Sequence, residues 1–243
     1  MQFCDISTLG KIRVSGAAAH DFVRVMFTAE VGALDEPGTV MASLLLTGEA
    51  EIIDAVLIIR TGDDEYMITT NSATAGEAFA WLEAHAEIKD DEGAIFEGLA
   101  LSNETEKLAG VVLFGEGSTS VLEELAGRSL DAFPRLGSLT MAQLDTVPAL
   151  ILNSPVLPAE TEVYELFCPP ASVEGLTHAL LSFPEIDSMD AKEYQALREQ
   201  QGTWFAQADD AAYAFPDELG LLRLVRTPMD FVGAQALTTR LAR

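Results

Sequence analysis

Polar and apolar residues alternate over Lys11-Ile12-Arg13-Val14, the two-residue period of a half-buried strand. Gly16 then opens an Ala-rich stretch in which Phe22, Met26 and Ala29 recur at i, i+4 and i+7, one face of a helix. Residues 40–46 form a mostly apolar run of strand length that breaks at Thr47-Gly48. Residues 52–59 are β-branched and apolar except for Asp54, the composition of a deeply buried strand. Thr61-Gly62-Asp63-Asp64 predicts a hairpin turn that returns as a strand over 66–70. Ala75, Phe79, Leu82 and Ala86 mark a second amphipathic helix.

The alternation then repeats. Strands are predicted over 96–101, 108–114, 149–152 and 163–167. Ser120-x-x-Glu123 reads as a capping box, with Leu122 and Leu125 on the buried side and Gly127 as the stop. Val173, Leu176 and Leu180 form another helical stripe. These patterns predict an α+β protein of two ferredoxin-like halves, 1–103 and 104–185, with a tail, 186–243, packing back on the first half. In the tail, Asp190-x-x-Glu193 is a second capping box, opening a helix that carries Tyr194 and Leu197 and stops at Gly202. Residues 208–214 read as a loop and 221–225 as a strand, and Asp230 caps a last helix with Leu237 and Leu241.

Composition narrows the partners. Asp and Glu number 39 against 14 Lys and Arg, a formal net charge of −25, which repels nucleic acid and anionic membrane surfaces. A 49% hydrophobic content supplies a large core. No apolar run reaches the ~18–20 residues of a membrane span, and no basic segment followed by an apolar one opens the chain, so a cytoplasmic protein is expected. Cys4 and Cys168 are too few for a disulfide framework and read as reduced, buried thiols. GxGxxG, P-loop, HExxH and Gly-x-Ser-x-Gly patterns are all absent. His20, His85 and His178 are isolated, so no metal site is expected. Motif chemistry alone assigns no reaction.

Four segments together resemble one family, the tetrahydrofolate-dependent aminomethyltransferases (T-proteins) of the glycine cleavage system. They are Asp5-Ile6-Ser7-x-x-Gly10-Lys11-Ile12-x-Val14-x-Gly16; Ile52-Ile53-Asp54-Ala55-Val56-Leu57-Ile58-Ile59-Arg60 with Glu65 to Ala73; Glu193-Tyr194-x-x-Leu197-Arg198-x-x-x-Gly202; and Pro216-Asp217-Glu218-Leu219-Gly220-Leu221 followed by Asp230-Phe231-Val232-Gly233. The resemblance implies the family's folate-binding region in a shortened member that lacks the C-terminal barrel. Tetrahydrofolate is the implied substrate or ligand. A carrier protein or a partner supplying the barrel is an implied partner, and a homo-oligomer is the other expected association. The related iron–sulfur-assembly branch carries a Cys-containing segment where this chain has Pro228 to Gly233, so that branch fits less well.

The resemblance also implies site residues. Glu218 occupies the position whose carboxylate accepts the ring N–H and exocyclic amino group of the pterin side by side, a charge-assisted pair. Asn71 offers both a donor and an acceptor. Leu57 shares a strand face with Ala55, and Thr69 shares one with Asn71, so paired strands would line an apolar slot with a polar end. Arg198 is the family's helix Arg, holding the tail or facing the folate glutamate. The family has two successive Asp in the second segment, the second lying at the reacting folate nitrogen. Here the first is kept as Asp54 and the second is Ala55. Neighbouring strand residues face opposite ways, so Asp54 does not simply replace it. The catalytic residue is therefore unassigned, with Asp54 the remaining candidate. The family's Gly-Tyr-Thr-Gly-Glu loop is replaced by Ser154 to Glu160, and an expected aromatic by Ala42. The implied function is one-carbon transfer, of an aminomethyl or methyl group, to or from tetrahydrofolate, weakened by Ala55. The alternative is a non-catalytic folate-binding subunit or scaffold.

Overall fold

A computed structural model describes residues 1–91, 93–127, 137–154, 161–200 and 214–243. In chain order the strands are β1 (Gln2–Asp5), β2 (Gly10–Ser15), β3 (Val40–Leu46), β4 (Ile52–Gly62), β5 (Glu65–Thr70), β6 (Lys89–Asp90), β7 (Gly93–Ala94), β8 (Ala100–Asn103), β9 (Ala109–Phe114), β10 (Ser138–Leu144), β11 (Val147–Asn153), β12 (Val163–Cys168) and β13 (Asp187–Ser188). The α-helices are α1 (Ala19–Met26), α2 (Ala75–Ala86), α3 (Ser118–Ala126), α4 (Val173–Leu181), α5 (Ala191–Gln200) and α6 (Ala234–Leu241). The chain divides into two compact units. One comprises Met1–Thr8 with Thr105–Thr203, the other Leu9–Glu104 with Trp204–Arg243.

In the second of these, the sheet order is β3-β4-β5-β2-β8 and every pairing is antiparallel. Alternation decides which side chains meet the helices. Ile12, Val14, Val56, Ile58, Tyr66 and Ile68 form one core with Phe22, Met26 and Leu82 of α1 and α2. Gly16, at φ 106°, makes the turn into α1, and a Cβ there would stand 1.9 Å from the Gly98 carbonyl oxygen, so only glycine fits. In the other unit the order is β10-β11-β12-β9-β1-β13, antiparallel except for the β1–β13 pair. Val111, Leu113, Ile151, Tyr164 and Leu166 pack there with Leu122 of α3 and Leu176 and Leu180 of α4. Both units are α+β with mainly antiparallel sheets; α3 and α4 cover one face of the sheet in this unit, while Tyr194 of α5 meets Phe114 on the other face.

Several expectations need correction. The predicted strand over 96–101 begins only at Ala100; Phe96 instead turns its ring edge-on to Phe22, centroids 4.9 Å apart. Ser120 is no cap, because α3 starts two residues earlier behind a left-handed Gly117. Gly127 does end that helix, in the left-handed conformation at φ 62°. Leu221–Leu224 is a 3₁₀ turn and not a strand: Gly220 at φ 67° starts it, and among the described residues the segment pairs with no strand. Asp230 caps nothing; α6 begins at Ala234 behind Gly233, and the Asp230 carboxylate pairs with Arg226 and Arg24. The capping box at Asp190 is formed, with Asp190 Oδ1 accepting from the Lys192 and Glu193 N–H groups and Glu193 Oε2 from the Asp190 N–H. Strands β1 and β10 were not predicted. Residues 202 and 208–213 lie outside the described residues.

Cys4 and Cys168 are free and buried. Burial and the negative charges of Asp5, Asp190 and Glu193 push the Cys4 thiol up to about 11, and burial pushes Cys168 upward. Since thiolate is the nucleophile, neither should react with Ellman's reagent in the native protein at mildly alkaline pH, and both should react in denaturant. Rapid native labelling of either would contradict this packing.

Candidate functional site

Strand register places Ala42, Leu57, Thr69 and Lys11 in one row across four strands. That row lies on the sheet face away from α1 and α2, since the residues between them fill the helix-side core. Leu57 and Thr69, expected to share a slot, are therefore brought side by side, and both are buried. Lys11 completes the row with no solvent exposure, its Nζ donating to the Leu9 carbonyl at 2.8 Å. Sequence reading treated Lys11 as an ordinary polar strand position; nothing in its local pattern distinguishes a buried lysine.

Asp54 and Asn71 are also brought together. Asp54, only 2% exposed, points toward the turn that starts α2. Its Oδ2 accepts from the Asn71 backbone N–H at 3.0 Å and from Thr74 Oγ1 at 2.7 Å, and its Oδ1 accepts from Asn71 Nδ2 at 2.6 Å. The Asn71 amide also donates to the Ala55 carbonyl at 3.4 Å. One carboxylate thus ties β4 to the end of β5 and to the start of α2. Ala55 has no solvent exposure and pairs with Leu44 of β3.

Glu218 lies elsewhere, on the segment before the 3₁₀ turn. This segment is tied to β4 at its start, where the Ile52 N–H donates to the Ala214 carbonyl at 2.8 Å, and is closed on itself by the Leu221 N–H donating to the Pro216 carbonyl at 2.7 Å. The Glu218 side chain is 49% exposed. Its Oε1 accepts from Arg240 Nη2 at 2.6 Å and its Oε2 from the Phe215 N–H at 3.3 Å. Arg240 also donates through Nε to Asp217 Oδ1 at 2.7 Å and lies over the Phe215 ring, 3.9 Å from its centroid. The Arg240 guanidinium holds the Asp217 carboxyl below the usual carboxylate range. A groove of about 660 Å³ runs alongside, lined by Phe215, Gln235, Thr239, Arg240 and Glu51 among others.

A further cation was missed. Arg226 is buried, its side chain 3% exposed, and donates to the carbonyls of Phe27 (2.6 Å), Ala29 (2.9 Å) and Arg24 (2.6 Å) and to Asp230 Oδ1 (2.8 Å). It clamps the C-terminal segment onto the end of α1. The Arg226-x-x-x-Asp230 spacing is readable in sequence, whereas its backbone acceptors about 200 positions away are not. Arg198 belongs to α5, but its side chain lies outside the described residues, as do residues 155–160 of the replaced loop.

The fold is that of an α+β protein built on mainly antiparallel sheets. Its family follows from comparison: the model of the GCVT N-terminal domain matches residues 1–228, and the chain belongs to that family. It is similar to the aminomethyltransferase of Geobacillus thermodenitrificans, 28% identical over 182 residues covering 73% of this chain and 46% of that protein. The aminomethyltransferase of Geobacillus kaustophilus is 28% identical over 185 residues, 76% of this chain and 48% of that protein. The crystal structure of glycine cleavage system aminomethyltransferase T from Bartonella henselae shares the fold, with a TM-score of 0.84 over 99% of this chain and 63% of that one, at 21% identity. The chain spans about half the length of the curated relatives it matches. Among the described residues no helix is long and apolar enough to cross a membrane.

Proposed function

We propose that the chain binds tetrahydrofolate, with Glu218 accepting the amino-pyrimidinone edge, and that it takes part in transfer of an aminomethyl or methyl group to or from that cofactor. The observation that carries this reading is the family match over residues 1–228, which includes Glu218, Asn71 and the strand holding Ala55. The groove against Phe215 and Arg240 supports it with space for a ring beside the Glu218 segment. The resemblance assigns Leu57, Thr69 and Asn71 to the ligand's surroundings; they are buried and do not line this groove, so the contact proposed here is that of Glu218. A partner that fits is a carrier protein bearing the one-carbon unit.

At Ala55 the family places the carboxylate that faces the reacting nitrogen. A general acid–base group contributes ~10²–10⁴-fold, and a buried alanine contributes none. Asp54 does not replace it, because its two oxygens already serve Asn71 and Thr74. Turnover is accordingly weak, and this observation favours the second reading, a folate-binding subunit without catalysis. Calorimetric titration with tetrahydrofolate tests the binding, and an assay with several one-carbon donors separates the two readings. Glu218→Ala should weaken binding by about 1.5–3 kcal/mol, the range for hydrogen bonds to a charged group. Unchanged affinity would remove Glu218 from the site. Absence of binding by the wild type, where a full-length family member saturates, overturns the folate assignment.

A further inference from the structure

We infer that Arg240 is an internal mimic of the ligand's recognition edge, so that α6 acts as a latch over Glu218. The inference rests on the folate reading above. The edge of a pterin that a carboxylate recognises is chemically a guanidine: a ring N–H and an amino group on one carbon, in a flat conjugated system. The Arg240 guanidinium has the same shape and donor pattern. It donates to Glu218 Oε1 at 2.6 Å while its plane lies over Phe215, 3.9 Å from the ring centroid. A carboxylate in front and an aromatic face beneath are the two contacts a bound pterin edge would use. The second oxygen, Oε2, holds the Phe215 N–H at 3.3 Å. With Arg240 in place, an entering ring must displace it from Glu218 and from Phe215.

The latch is built to open. Arg240 keeps a second carboxylate, Asp217, at 2.7 Å through its Nε, so it retains a partner when Nη2 releases Glu218. It sits in the last turn of α6 and is itself 30% exposed, so its swing needs no rearrangement of the core. Glu218 is half-exposed, so the competing pair is screened by water and weak enough for a ligand to break.

The test is calorimetric titration of tetrahydrofolate into the wild type, Arg240→Gln, Arg240→Lys and Glu218→Ala, each first shown to be folded by thermal melting. Arg240→Gln should bind about fivefold more tightly than the wild type, the worth of one partly exposed ion pair converted to affinity. Arg240→Lys, which keeps the charge but loses the planar fork, should also gain. The gain should vanish when Glu218→Ala is combined with Arg240→Gln. Equal or weaker binding by both Arg240 variants, with wild-type binding intact and dependent on Glu218, overturns the latch and leaves the folate reading standing. No binding by the wild type or by either Arg240 variant overturns the folate reading, and the latch with it.

Discussion

Arg226→Ala is expected to destabilise the unit containing it by about 3–5 kcal/mol, the range for removing one partner from a buried charge network. The substitution does more than break the pair with Asp230. It leaves the carbonyls of Arg24, Phe27 and Ala29 without the donors that now reach them at 2.6–2.9 Å. These carbonyls lie where α1 ends and the chain turns toward β3; there the Thr28 carbonyl accepts from the Arg226 N–H, and the Thr28 hydroxyl donates to the Leu224 carbonyl. Losing the guanidinium therefore loosens both segments together. At about 2–4 °C per kcal/mol for a chain of this size, the melting temperature should fall by roughly 6–20 °C. Arg226→Lys should recover only part of this, because one ammonium cannot span acceptors on both sides of a planar fork. Acid denaturation gives a separate reading. Arg226 holds the Asp230 carboxyl below the usual range, so its contribution is present above the carboxylate's unfolded value and is lost as pH falls through the lower folded value. The Arg226→Ala variant should show a smaller acid-side loss, since Arg24 still faces Asp230. A stability change below about 1 kcal/mol would mean the clamp is not formed.

Much of the architecture was readable from pattern. The apolar runs at 40–46 and 52–59, the hairpin after Gly62 and the helical stripes at Phe22–Met26 and Leu82 correspond to observed elements because each has one buried face that sets a period. Strand β10, Ser-Leu-Thr-Met-Ala-Gln-Leu, was missed because it lies at a sheet edge, with Met141 and Gln143 exposed and only Ala142 and Leu144 buried. Strand β1 is four residues long, too short to show a period. Leu221–Leu224 misled because it is apolar like a strand, yet it fills the space beside β3 as a single turn. The candidate site was legible only where partners are close in sequence or follow from strand pairing. Facing strands put Leu57 beside Thr69, as expected if the two strands pair. The partners of Glu218, Arg226 and Lys11 depend on tertiary placement: Arg240 is 22 positions from Glu218, and the Arg226 acceptors are about 200 positions away. The resemblance pointed to Glu218 as a waiting carboxylate; its engagement by Arg240 has no signature in the motif.

Asp54→Ala should cost about as much as Arg226→Ala, and it decides what the retained aspartate of the altered strand is for. The carboxylate is 2% exposed and receives the Asn71 N–H, the Asn71 side-chain amide and the Thr74 hydroxyl. Truncation leaves all three donors without this acceptor, at about 1–3 kcal/mol for each buried group left unsatisfied; the Asn71 amide and the Thr74 hydroxyl keep a second acceptor at 3.4 Å, so a total at the lower end, about 3–5 kcal/mol, is expected. Asp54→Asn keeps the volume and one acceptor oxygen but turns the other into a donor facing donors, and should cost less, about 2 kcal/mol. Urea unfolding of both variants measures this. A catalytic aspartate predicts the opposite pattern: Asp54→Asn would melt like the wild type and lose turnover. A structural one predicts that stability falls in step with the donors stranded, and that tetrahydrofolate affinity follows the folded fraction. The hydrogen bonds favour the structural outcome, because a carboxylate fixed by the Asn71 backbone N–H, the Asn71 side-chain amide and the Thr74 hydroxyl has little freedom to move a proton. Asp54 then keeps β4 in register with β5, and so fixes where residue 55 stands on the opposite face. Replacing Ala55 by aspartate alone would restore the family's carboxylate only while that register holds. The Ala55→Asp protein should therefore gain activity with Asp54 intact and lose the gain when Asp54→Asn is added, a coupling that independent roles for the two positions would not produce.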